Sequence, residues 1–260
     1  MNTKLNSLLL ALIIAPAAFA ETPQERGLAI AEARKTADVG WVSSQSDSLM
    51  ILRNKQGDES RRVLRNKALE VASDGDKSLT IFDSPKDIKG TAFLSFSHNN
   101  KNDQQWLYLP ALKRVKKISS RNKSGPFMGS EFAYEDLSSF EIEKYKFEYL
   151  RDEPCADLTC YVLQSTPTNK YSGYSKVITW LDHHSYRVHK VEFYDRKKAH
   201  LKTLVASDFK LYQDKFWRSH KTLMTNHLTG KSTELILSNF EFDTGLSAKD
   251  FNKNSLKRAR

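Results

Sequence analysis

The sequence lacks the common signatures of chemistry. It has no H-E-x-x-H pair, no P-loop and no dinucleotide-binding glycine set. The nearest approach to G-x-S-x-G is Gly173-Tyr174-Ser175, which misses the second glycine. Ser207-Asp208-Phe209-Lys210 fits S-x-x-K without the S-D-N or K-T-G companions that would give it a role. His183, His184, His189 and His200 crowd one hairpin region beside Asp182 and Asp195, but their spacing matches no ligand motif, so they are expected to be solvated turn and edge residues. No catalytic residue, metal or cofactor is predicted.

Cysteine is almost absent too. Cys155 and Cys160 are the only two, four residues apart in between, and they are too few for a zinc site, which wants about four ligands. Long apolar runs are missing after the first twenty residues. Before that point the chain carries Lys4, the apolar block LLLALIIAPAAFA from Leu8 to Ala20, and the A-x-A end Ala18-Phe19-Ala20. That is the pattern of a secretory signal peptide, too short for a membrane span of about 20 apolar residues, with cleavage expected after Ala20. Glu21 follows where an acylated lipoprotein would need cysteine. The expectation is a soluble, periplasmic protein, with residues 21–260 forming one domain and the two cysteines bridged in an oxidising compartment.

Internal repeats, low-complexity runs and linkers rich in Pro, Gly or Ser are also missing. What is abundant is positive charge: the net charge of +10 becomes +9 once Lys4 leaves with the signal. An excess of that size favours anionic surfaces such as phospholipid headgroups. Nucleic acid is not expected, because the charge is spread along an exported chain rather than gathered in one arm.

Glu21 to Thr36 reads as an amphipathic helix, with Thr22 to cap it and Pro23 in its first turn. After Gly40 the texture becomes β-branched and aromatic alternation broken by short polar turns. The predicted strands are 48–53, 60–71, 78–82, 92–97, 105–109, 114–118, 145–150, 160–165, 175–182, 187–194, 201–211, 216–226 and 233–242. Short links from Trp180 onward force antiparallel neighbours, a meander. The long irregular piece between Ile118 and Tyr145 is a candidate functional loop, and the tail Ser255 to Arg260 is expected to fray.

Four Trp, ten Tyr and 14 Phe need cover that the one confident helix cannot supply alone. A sheet curled around an apolar hollow would supply it.

Trp106 to Leu137, WLYLPALKRVKKISSRNKSGPFMGSEFAYEDL, carries a more specific signal. Its L-P-A-L-K-R-V-K-K-I and F-M-G-S-E-F-A-Y-E-D-L segments resemble the periplasmic LolA-like outer-membrane lipoprotein-sorting proteins found beside RND-type exporters. Trp180, Asp182, Tyr186, the strand Lys190 to Asp195, Lys202-Thr203-Leu204, Met224 to Leu237 and Leu246 to Phe251 extend the resemblance over nearly the whole mature chain. The resemblance implies a mainly β fold with few helices: a strongly curved antiparallel sheet forming an open half-barrel, with helices lidding an apolar cavity. It also implies binding of a lipid or lipoprotein acyl chains without catalysis, with an RND-type inner-membrane exporter and an outer-membrane acceptor as partners.

Taken together, residues and resemblance nominate Trp106, Tyr108, Leu112, Phe127, Met128, Phe132, Tyr134, Trp180 and Phe193 as ligand-binding. Lys113, Arg114, Lys116 and Lys117 are nominated as a rim for anionic headgroups or a partner. Glu131, Glu135 and Asp136 are expected to pair with the cations just before them and hold Phe127 to Leu137 down as a plug. Two alternatives stand beside the carrier: an envelope sensor of lipoprotein or lipopolysaccharide acting through a protein partner, and a hydrolase using Ser175 or His183, His184 and His189.

Overall fold

The computed structural model describes residues 20–258; the expected signal peptide, residues 1–19 of the 20, lies outside them. The chain first forms α1 (Pro23–Ala37). Thr22 Oγ1 accepts from the Glu25 N–H at 3.2 Å while the Glu25 carboxylate accepts from the Thr22 N–H at 2.8 Å, a reciprocal cap that fixes the helix start. Gly27 lets α1 lie directly on the sheet. A Cβ there would stand 2.8 Å from the backbone nitrogens of Glu148 and Tyr149.

Thirteen strands follow: β1 (Ser43–Arg53), β2 (Glu59–Leu69), β3 (Lys77–Ser84), β4 (Ala92–Phe96), β5 (Gln104–Leu109), β6 (Arg114–Ile118), β7 (Tyr145–Cys155), β8 (Leu158–Pro167), β9 (Tyr174–Asp182), β10 (Val188–Asp195), β11 (His200–Tyr212), β12 (Phe216–Asn226) and β13 (Ser232–Phe242). Each overlaps one of the predicted segments. They form one antiparallel sheet in the order β6-β5-β4-β3-β2-β1-β13-β12-β11-β10-β9-β8-β7. Two meanders are therefore sewn together at their centre, where β1 pairs with β13, for example Met50 opposite Leu235.

Because β6 and β7 occupy opposite edges, the chain between them must cross a face of the sheet. Residues 119–144 do so in short 3-10 turns and coil. Phe127 packs among Phe82, Phe93 and Tyr134 with ring centroids 5.8, 5.1 and 5.7 Å away, over the β1–β6 half. Phe132 packs with Phe193 and Met224 over the other half. The opposite face of β3 to β6 has its own cover. Leu79, Ile81, Ala92 and Leu94 pack there against Phe251 and Leu256. The expected fraying of 255–260 is corrected as far as the tail is described: residues 253–258 form a 3-10 helix and Leu256, 1% exposed, completes this second apolar layer, while 259–260 lie outside the described residues.

The half-barrel expectation is also corrected. The sheet is open, with a linear strand order and two edges, and is neither closed nor strongly curled. α1 packs at one end of the sheet, Ile30 and Ala31 against Phe147 and Leu163, and irregular backbone does the covering that the aromatic content demanded. Among the described residues, no helix is long and apolar enough to cross a membrane.

Candidate functional site

The nominated apolar residues do not form one surface. In β5 the side-chain period of two puts Leu107 and Leu109 on the face crossed by 119–144, and Trp106 and Tyr108 on the other, beside Phe251 and Leu256. Leu112 stands at the turn after β5, 62% exposed. Phe127, Met128 and Tyr134 join one apolar cluster under the crossing segment, and Phe132 and Phe193 join its neighbour. Trp180 packs elsewhere, with Cys160, Val162 and Ile178, and Lys190 Nζ sits 3.5 Å from its ring centroid.

Lys113, Arg114, Lys116 and Lys117 are all exposed at the β6 edge, and none forms an ion pair among the described residues. The expected pairing of the plug's carboxylates with the cations just before them is met by Glu135 with Lys123 and is corrected for Glu131 and Asp136. Glu131 accepts from Asn226 Nδ2 at 2.7 Å, Glu135 from Ser172 Oγ at 2.8 Å and the Gly173 N–H at 2.7 Å with Lys123 3.7 Å away, and Asp136 meets Lys202 at 2.6 Å. The segment is thus tied to the far half of the sheet. Tyr174 donates to Asp136 at 2.7 Å, and burial beside two carboxylates pushes its phenol well above the ordinary value. Burial also raises the Glu135 carboxyl and lowers the Lys123 ammonium.

The residues nominated for hydrolysis are not assembled. Ser175 and His183 lie at opposite ends of β9, about 26 Å apart at the rise of an extended strand, and Ser175 Oγ donates to the Tyr194 carbonyl at 3.4 Å. His183 stacks on Tyr161 at 3.8 Å and bonds Asp152, while His189 bonds Asp182. Cys155 and Cys160 are bridged with their Cα atoms 5.8 Å apart. His189 reaches within 4.8 Å of both sulfurs, yet bridged sulfurs offer no thiolate to a metal.

A hollow of about 590 Å³ opens between the last turn of α1 and the sheet. Its apolar wall includes Trp41, from the segment just before β1, and Val188, Leu204, Ala206, Phe209 and Trp217 from β10, β11 and β12. Its polar wall is well ordered. Lys35 reaches Glu141 at 2.9 Å and the Phe140 carbonyl at 3.1 Å; Glu141 is 1% exposed and also accepts from Ser139 Oγ. Arg218 pairs with Asp38 at 2.7 Å. Asp74 is held below the ordinary carboxyl range by His98, 2.6 Å away, and by the Asn99 N–H. Asp76 behaves oppositely: burial pushes its carboxyl up to about 6, with Glu141 and Glu70 adding to the rise and the Val71 N–H and Lys35 opposing it.

Arg187 enters the hollow from the β9–β10 turn. Asp182, fully buried, accepts from the N–H groups of His184, Ser185 and Arg187, and from the Ser185, Arg187 and His189 side chains. Burial raises this carboxyl, but Arg187, Ser185 and His189 together outweigh it and hold it down to about 2. The carboxylate in turn fixes Arg187 Nε at 2.8 Å, with the guanidinium 4.3 Å from the Trp217 ring centroid. Arg34 lies on the facing α1 wall, its guanidinium 4.1 Å from the Phe140 centroid, and burial lowers its pKa to about 10, so it stays charged at neutral pH. None of this group was nominated from sequence. Arg34 and Trp41 lie close together in sequence, but Arg187 and Trp217 come from distant parts of the chain, and no local motif joins them.

A solved outer membrane lipoprotein-sorting protein domain from Vibrio parahaemolyticus, so assigned, is 61% identical to this chain, covering 90% of this chain and 100% of that one, with a TM-score of 0.89. The chain belongs to that lipoprotein-sorting family. A family model described as an uncharacterized protein matches residues 74–258. A DUF1329 family protein from Desulfovibrio piger is 26% identical over 90% of this chain and 99% of its own, with a TM-score of 0.85. A LolA superfamily protein from Nitrosomonas europaea, 22% identical over 90% of this chain and 99% of its own with a TM-score of 0.69, shares the fold. No curated protein matches. In this lipoprotein-sorting family member, the hollow against α1 is the place where an apolar wall and charged groups converge.

Proposed function

We propose that this protein is a periplasmic, non-catalytic handler of lipid or of lipoprotein acyl chains, and that the hollow beside α1 receives the acyl portion. The observation that carries this reading is the hollow itself. Leu204, Ala206, Phe209 and Trp217 give an apolar floor long enough for part of an alkyl chain, beside charged groups suited to a head. Membership of a lipoprotein-sorting family supports the same class of cargo.

The exposed cations at the β6 edge suit transient contact with an anionic membrane surface. An RND-type inner-membrane exporter and an outer-membrane acceptor are the partners this reading assigns. The test is native mass spectrometry of protein purified from the periplasm, with identification of released lipid. A reproducible excess mass is expected, and Ala206→Trp, which fills the floor, should lose it. Protein that is consistently empty and does not bind a fluorescent fatty acid overturns the reading.

A further inference from the structure

The charged wall of the hollow is unevenly satisfied. Its carboxylates are engaged: Glu141 with Lys35, Asp38 with Arg218, Asp74 with His98, Asp76 with the Val71 N–H at 3.1 Å, and Glu70 with the N–H groups of Gly40 and Val42 at 2.7 and 2.9 Å. Two of its cations are not. Arg34 makes no hydrogen bond and no ion pair within 4.0 Å among the described residues, and its one close partner is the face of Phe140. Arg187 uses only Nε on Asp182, so its terminal N–H groups are left over. A half-buried guanidinium with unused donors, resting on an aromatic ring, is poorly hydrated on one side and open to an acceptor on the other.

The group that satisfies such donors is an oxyanion, because carboxylate and phosphate oxygens match the planar fork of arginine. The apolar floor lies in the same hollow. We propose that the site selects amphiphiles with an oxyanion head, a carboxylate or a phosphate, held by Arg34 and Arg187 while the alkyl chain lies on Leu204, Ala206, Phe209 and Trp217. This rests on the acyl-binding reading above and adds the charge of the cargo to it. Asp182 is the positioning residue: by fixing Arg187 Nε it aims the remaining donors into the hollow.

The test compares dodecanoate, dodecyl phosphate, dodecanol and inorganic phosphate for binding to the full chain by isothermal titration. The two anionic amphiphiles should bind most tightly. Arg34→Gln should weaken both by roughly tenfold or more, the worth of a charge-assisted hydrogen bond, and leave dodecanol unchanged. Arg34→Lys should restore part of the loss, and raised salt should weaken only the anionic pair. Circular dichroism of each variant establishes that the fold is intact. Equal binding of dodecanol and dodecanoate, or an Arg34→Gln loss that is the same for both, overturns the inference while leaving the acyl site standing. Inorganic phosphate binding as tightly as dodecyl phosphate also overturns it, by showing a site for the free ion. If none of the three alkyl compounds binds, the acyl-binding reading fails first.

Discussion

Lys202 Nζ lies 2.6 Å from Asp136 Oδ2, with the side chains 4% and 6% exposed, and also donates to the Glu131 carbonyl at 2.8 Å. This pair fastens the crossing segment to β11. Removing one partner leaves a buried charge uncompensated, so Asp136→Ala or Lys202→Met should each cost about 3–5 kcal/mol. The double variant Asp136→Leu with Lys202→Met should be more stable than either single one, as urea unfolding will measure.

Asp76 provides a pH signature. Its folded-state pKa near 6 lies above the ordinary carboxyl value of 3.8, so the folded chain holds this proton more tightly than the unfolded chain. Its contribution to stability is greatest below about pH 4 and falls as pH rises to about 6, then stays at its lowest. Asp76→Asn should therefore raise the urea midpoint at pH 7.5 and lose that advantage near pH 4. An equal effect at both values would show that ionisation of Asp76 is not the cause.

The Cys155–Cys160 bridge closes a small loop at the β7–β8 turn. Loop-closure entropy for so few residues gives about 2 kcal/mol. Reduction, or Cys155→Ser with Cys160→Ser, should lower stability by about that amount without changing amphiphile binding, since both cysteines lie outside the hollow. Alkylation before and after reductant checks the state of the thiols.

Charge reversal of Lys113, Arg114, Lys116 and Lys117 to Glu should weaken association with vesicles containing anionic lipid and leave amphiphile binding in solution unchanged. The wild-type association should fall with added salt, because exposed charges are screened within about 10 Å at 0.1 M. Vesicle flotation that is indifferent to both changes would remove the β6 edge from the membrane-contact proposal.

Strand positions were legible because alternation and turn residues are local properties. Gln105, Leu107 and Leu109 against Trp106 and Tyr108 shows the limit of that information: period two separates the faces but does not say what covers each. The crossing segment was visible as an irregular acidic and aromatic run, yet its anchors Lys202, Tyr174 and Asn226 lie 66, 38 and 95 residues from their partners Asp136, Asp136 and Glu131. The hollow was illegible for the same reason. Arg34 occupied a helix whose sequence announced only its cap, and Arg187 followed a turn whose histidines drew notice while Asp182, its organiser, did not reveal its six donors.

The β1–β13 seam has a consequence for how the molecule comes into being. Strands 2 to 6 can zip from β1, and strands 7 to 12 can zip from one another, but the join at the middle needs Ser44 opposite Phe242 and Arg53 opposite Ser232, almost the full span of the sheet's sequence. Non-local pairing of that kind delays completion until late in folding. A chain exported from its N-terminus would leave this seam open until β13 emerged.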